Sequence, residues 1–142
     1  MLKYGVAAIA AVMVIGAAQA APLSPTEIVN RHVTAAGKGD VDAIMADYAD
    51  DAVVLQAGQA AQGKAAIRAV FERIFPPRPA GSPPPAGPGM TVTRVWEEGN
   101  VGLVTWQLGA INGTDEFLVR DSKIEVQAVF LSGAPPAPAP EK

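Results

Sequence analysis

The stretch 24-SPTEIVNRHVTAAGKGDVDAIMADYADDAVVLQAGQAAQGKAAIRAVFERIF-75 decides the fold, because its spacing and turn residues spell out helix, helix, strand and helix in that order. Ser24 caps the first helix, Pro25 suits its first position, and Glu27 completes a capping box. Ile28, Val29, His32, Val33 and Ala36 recur at helical spacing and form one apolar face. Gly37-Lys38-Gly39 stops the helix, since glycine accepts the left-handed cap conformation without a Cβ clash. Asp40 caps a second helix with Val41, Ile44, Met45 and Tyr48 inward, ended by Asp50-Asp51. Ala52–Leu55 reads as a short β-branched strand, Gly58–Gly63 as a loop, and Lys64–Phe75 as a third helix with Ile67, Val70, Phe71 and Ile74 on one side.

Outward from that stretch, Pro76–Gly89 (PPRPAGSPPPAGPG) cannot be helix interior or central strand, because proline fixes φ and removes amide donors. It is read as a semi-rigid surface connection interrupted by Gly and Ser. Beyond it the period switches to two. Met90–Trp96, Val101–Leu108, Asp115–Arg120 and Ile124–Leu131 read as four antiparallel strands. Glu98-Gly99-Asn100, Asn112-Gly113 and Asp121-Ser122 are the turn signals between them. Helices first and strands after give an α+β fold, with three N-terminal helices packed on one face of a curved, mainly antiparallel sheet. The Pro/Ala-rich 134–142 segment cannot pack and reads as a tail.

Residues 1–20 have a different composition. Lys3 precedes an apolar run from Gly5 to Ala17, and Ala18-Gln19-Ala20 forms an A-x-A cleavage signature, so the segment reads as a secretory signal peptide. The run is shorter than the roughly 20 apolar residues a membrane span needs. Export, most naturally to a bacterial periplasm, is the expectation, with no membrane contact after cleavage. The chain has no cysteine, so the fold takes no help from disulfides. What remains, 21–133, is one domain's worth of chain with the proline-rich loop inserted. The formal net charge of −3 becomes more negative once Lys3 is removed, which argues against nucleic acid as a partner.

The phrase GDVDAIMADYADDAVV followed by GKAAIRAVF resembles the N-terminal half of the NTF2-like superfamily, with its ketosteroid isomerase-like and SnoaL-like members. The first half matches closely and the strands match by pattern. The resemblance implies a cone-shaped half-barrel around an apolar cavity, and homodimers formed through the exposed sheet face. It also implies positions for chemistry. In Asn30-Arg31-His32, His32 stands where the isomerases carry an oxyanion-stabilising tyrosine. Four residues beyond Ala52, Gln56 stands where they carry the general-base aspartate. In Asp115-Glu116-Phe117, Asp115 keeps the position of the second oxyanion donor, an acid held neutral by desolvation.

A glutamine amide donates and accepts hydrogen bonds but does not titrate, so Gln56 cannot abstract a carbon-bound proton. Steroid isomerisation by the relatives' route is therefore not expected. His32, the chain's one histidine, is either a neutral imidazole filling space on an apolar helix face or an acid–base group of suitable pKa. Asp115 shares a strand face with Phe117 and Val119, or else is a solvated turn residue after Asn112-Gly113. Asp47, Asp50 and Asp51 read as helix-end and turn residues. Tyr48, Trp106 and Phe117, with Met90, Trp96 and Phe130, supply apolar lining or core. One histidine without cysteines offers no ligand set at zinc spacing, and nothing in the chain calls for a cofactor. The expectation is an exported protein that binds a small apolar or aromatic molecule, with Gln56, Tyr48, Trp106 and Phe117 as contacts. The alternatives are an isomerase, cyclase or dehydratase using His32 and Asp115, and a dimeric interaction module whose cavity is filled.

Overall fold

The computed structural model describes residues 21–77, 79 and 89–133. The segment expected to be a signal peptide, most of the proline-rich connection and the expected 134–142 tail lie outside the described residues. The elements are α1 (Pro25–Lys38), α2 (Val41–Ala46), β1 (Tyr48–Gln56), β2 (Gln59–Gln62), α3 (Lys64–Ile74), β3 (Thr91–Glu98), β4 (Val101–Leu108), β5 (Ile111–Arg120) and β6 (Lys123–Ser132). The strands form one six-stranded sheet in the order β2-β1-β6-β5-β4-β3. Every pairing is antiparallel except β1 with β6. Helices on one face of a mainly antiparallel, unclosed sheet are the α+β architecture expected.

Local chemistry sets the helix ends. Ser24 and Glu27 form the capping box, and Gly39 ends α1 with φ 66° and its N–H on the carbonyls of Ala35 and Ala36. The Asp40 carboxylate accepts from Ala43 N at the start of α2. α1 lies directly on the sheet. A Cβ at Gly102 of β4 would stand 2.6 Å from Val29 Cγ2 and 3.0 Å from the carbonyl of Pro25, so the close approach requires a glycine there. Ile28, Val29, Ile44, Tyr48, Phe117 and Ile124 are sealed between helices and sheet. Burying each such aromatic or branched side chain contributes roughly 1.5–3 kcal/mol.

Three boundaries differ from the sequence reading. α2 is only six residues long, and Tyr48 opens β1 instead of closing a helix. Asp50 and Asp51 lie inside β1, at the register shift between Tyr48 and Val53 where pairing with β6 is interrupted. The expected 58–63 loop contains β2, which folds back on β1 through Ala57 and Gly58, both at positive φ. Asn112-Gly113 is no turn. β5 starts at Ile111, and the chain reverses at Gly109-Ala110, with Leu108 opposite Ile111. Asp121 and Ser122, both at positive φ, do make the expected tight turn between β5 and β6, and the Ser122 hydroxyl accepts from Leu23 N.

Candidate functional site

A cavity of about 660 Å³ opens between α1, α3 and the inner face of the sheet. Its walls are aliphatic and aromatic: Val33 and Ala36 from α1, Val70 and Phe71 from α3, Val54 and Val129 from the sheet. Ile74, Leu108 and Leu131 stand at its rim with roughly 40–50 % of their surface exposed (50 %, 38 % and 49 %). Polar side chains enter this apolar surround at only a few points on the described wall, namely His32, Gln56, Asp115 and Gln127. A concave, largely apolar space with a small set of convergent polar groups is the usual form of a small-molecule site.

Asp115 sits at the centre of that set. It points inward from β5 on the same face as Phe117, and both carboxylate oxygens are occupied. Trp106 Nε1 donates to Oδ1 at 3.0 Å from β4, and Gln127 Nε2 donates to Oδ2 at 3.0 Å from β6. The Tyr48 hydroxyl in turn donates to Gln127 Oε1, so a chain of hydrogen bonds crosses from β1 through β6 and β5 to β4. Burial pushes the Asp115 carboxyl above its ordinary range, and the Trp106 and Gln127 donors pull against that shift. Tyr48 is held far above the usual phenol range, first by burial and then by the nearby Asp115 and Asp47 carboxylates, so its hydroxyl keeps its proton.

His32 borders the same cavity from α1 and is 3 % exposed. Its ring is boxed edge-on by Tyr48, Phe71 and Phe117, with centroids 5.6, 5.8 and 5.1 Å away. This desolvation lowers its pKa from 6.5 to about 4, which makes it neutral imidazole at neutral pH. Nδ1 has no hydrogen-bond partner and faces Asp47 Oδ2, likewise unpartnered, at 3.9 Å. The other oxygen of Asp47 is taken by Arg31 Nε at 2.5 Å. Burial raises the Asp47 pKa, and the Arg31 guanidinium opposes the rise.

The structure therefore brings His32, Gln56, Asp115 and Trp106 to one cavity, and it places Asp115 in a strand, not in a solvated turn. Tyr48 and Phe117 are fully buried behind the wall and do not line the cavity; Tyr48 acts on it through Gln127. Of the other expected lining residues, Met90 lies at the cavity, whereas Trp96 and Phe130 point to the opposite sheet face, Trp96 beneath the Arg94 guanidinium at 4.6 Å. Two residues were missed by sequence reasoning. Asp47 is a sealed carboxylate beneath α1, not a solvated helix end. Gln127 is the one amide at an inward position of β6, and that break in the alternation was the available signal.

Comparison with known proteins agrees with this architecture. The model of the SnoaL-like domain family matches residues 29–129. An NTF2-like protein from Burkholderia xenovorans LB400 superposes with a TM-score of 0.62 at 26% identity, covering 79% of this chain and 85% of that one. An NTF2-like protein from Mesorhizobium loti gives 0.63 at 17% identity, over 77% and 91% of the two chains. An LEH-like epoxide hydrolase from M. tuberculosis gives 0.55 at 17% identity, over 76% and 82%. No curated protein matches the sequence.

Proposed function

The chain belongs to the SnoaL-like domain family, and from that premise we propose that it is an exported protein that holds a small apolar or aromatic molecule in its cavity, without steroid isomerase chemistry. The observation that carries this reading is the 660 Å³ apolar space with Asp115, Gln127 and His32 converging on it. A space of that size suits a compact ligand, since small-molecule sites run from about 300 to 1,000 Å³. Gln56, at the wall where related isomerases place their base, is an amide that does not titrate. Native mass spectrometry of protein purified from its own host, followed by titration of Trp106 fluorescence with apolar aromatics in a Trp96→Phe background, tests it. A retained small molecule, or a fluorescence change with a raised melting temperature, supports the reading. Silence by both methods sinks it.

One observation favours a second reading, an acid–base enzyme of isomerase, cyclase or dehydratase type. His32 and Asp115 are two titratable groups on one largely apolar cavity wall, where proton transfer to a bound carbonyl compound is effective. Turnover lost in both His32→Gln and Asp115→Asn, with ligand binding retained, would favour the enzyme over the carrier. Two further parts of the proposal concern assembly and address. The outward sheet face pairs two copies into a homodimer, and the 1–20 segment directs export to the periplasm. N-terminal sequencing of the mature protein checks the latter by showing a start at Ala21.

A further inference from the structure

We infer that the cavity recognises its ligand through a hydrogen-bond-donating, positively charged end, so that the class it takes is an apolar amine bound as the ammonium. The inference rests on the reading of the cavity as a ligand site and specifies that ligand's chemistry.

The two groups that hold Asp115 both give protons to it. The Trp106 indole is a donor only, and it occupies Oδ1. Gln127 turns its amide nitrogen to Oδ2 while its oxygen is engaged from behind by the Tyr48 hydroxyl. Reversing the amide would set its oxygen against the carboxylate, acceptor against acceptor, and would leave the Tyr48 proton without its partner. This frame of two donors favours the carboxylate over the neutral acid and so works against the burial that raises its pKa. An ionised carboxylate offers about four lone-pair sites and these two donors use one on each oxygen, so acceptor capacity remains. The role is the reverse of the oxyanion donor that the sequence resemblance implies for Asp115.

The rest of the described wall offers an anion nothing. Among the described lining residues there is no lysine or arginine, and His32 sits uncharged in its box of aromatic rings. The formal charge on that wall is the negative charge of Asp115 alone. A ligand carboxylate placed here would be stripped of water and set beside a like charge. An ammonium gains a counter-ion in Asp115, whose remaining lone pairs accept its N–H groups. The hydrocarbon body then lies against Val54, Val70, Phe71 and Val129.

The test uses three probes that share one body and differ at the end: 4-phenylbutylamine, 4-phenylbutan-1-ol and 4-phenylbutyrate, titrated at pH 7 into the full chain carrying Trp96→Phe. Trp106 fluorescence and melting temperature are the readouts. The amine is expected to bind about tenfold or more tighter than the alcohol, with the carboxylate weakest. In Asp115→Asn the amine falls to the level of the alcohol, and the carboxylate gains. The ranking in the chain with Asp115 intact decides the ligand class by itself, so the test stands even where the Asp115 variant does not fold. A carboxylate that binds as well as the amine overturns the inference, and so does an amine preference that survives Asp115→Asn. Equal binding of all three leaves the cavity as a ligand site and removes the amine specificity alone. No response to any of the three removes the ligand site itself.

Discussion

The indole of Trp106 lies over the Cα of Gly113, its register partner on β5. A Cβ built at Gly113 would stand 2.1 Å from both Cε2 and Cζ2 of the ring. No other side chain fits under the ring in that position. The contact settles two things together: it lays the indole against the cavity wall, and it aims Nε1 at Asp115, two residues further along the same strand face. Gly113 thus acts on the polar centre of the site without offering a polar atom of its own.

Substituting Gly113→Ala is expected to displace Trp106 from this position, because a rigid bicyclic ring cannot yield by a few tenths of an ångström against a contact so short. The variant should lose about 1–3 kcal/mol of stability, the usual cost of overpacking a closely fitted site. In a Trp96→Phe background its emission should shift as the indole leaves the wall. Urea denaturation and a fluorescence spectrum read both effects. Wild-type stability and spectrum in the variant would show that Trp106 is not held where the structure has it.

Tyr48→Phe tests the far end of the hydrogen-bond chain. The substitution keeps the ring, which is completely buried, and removes the hydroxyl that donates to Gln127 Oε1. A buried amide oxygen is left unsatisfied, and Gln127 loses the contact that fixes which end faces Asp115. A loss of about 1–3 kcal/mol follows from the desolvation penalty of one orphaned acceptor. The double variant Tyr48→Phe/Gln127→Leu should lose less than the sum of the two single variants, since it removes the orphaned oxygen while Gln127→Leu alone already costs Asp115 its donor. Strictly additive losses in a double-mutant cycle would argue against coupling between the two.

Much of this was legible in the sequence, and the exceptions have physical causes. The capping box at Ser24, the left-handed stop at Gly39 and the alternation of β4 and β6 are local signals, and each appears where the residues placed it. Tyr48 continued the helical spacing of Val41, Ile44 and Met45, yet its backbone pairs with Ile124 on a strand more than seventy residues away, a contact no local period carries. Asn112-Gly113 has turn chemistry, but glycine was required there by the Trp106 ring, a demand that comes from the neighbouring strand. Of the site, His32 and Asp115 followed from the resemblance. Asp47 was hidden because an acidic residue between helix and strand is ordinarily solvated, and only α1 and Arg31 folding over it seal it in.

Acid should weaken the fold through His32. Its pKa in the folded chain, about 4, lies below the 6.5 of an unfolded histidine. The unfolded state therefore binds the extra proton between those values. The contribution is complete above pH 6.5 and is lost as pH falls toward 4, by roughly 3 kcal/mol at a limit of about 1.4 kcal/mol per pH unit. Asp47 and Asp115 are shifted upward, so their contributions have the opposite sign, present at low pH and lost as pH rises through their folded values. Both carboxylates remain in His32→Phe, which fits the same aromatic box and sacrifices no hydrogen bond at Nδ1. Subtracting the variant's urea midpoints from those of the wild type between pH 7 and 4.5 should leave a slope of the His32 sign. Parallel curves would mean that this imidazole titrates normally.

The outward face of the sheet predicts how two copies meet. Along β6, Gln127, Val129 and Leu131 face the cavity, so Val126, Ala128 and Phe130 face away from it, beside Val53 and Leu55 of β1. Phe130 is 56 % and Leu55 43 % exposed. A one-sided sheet that faced water would carry polar residues at these alternate positions, and an apolar stripe there is the pattern expected of a contact surface. The stripe lies on the adjacent non-edge strands β6 and β1, so a second copy related by a two-fold axis can bury it symmetrically, as homodimers commonly do. Sedimentation at micromolar concentrations should therefore show a dimer, and Phe130→Glu should convert it to monomer by placing a charge in the apolar stripe that the dimer would bury. Because residue 130 points away from the cavity, Trp106 in that variant should respond to ligand as before. A wild-type monomer throughout the micromolar range would leave the stripe without its partner, and a Phe130→Glu protein that lost ligand response together with dimerisation would show that the two faces of the sheet do not act independently.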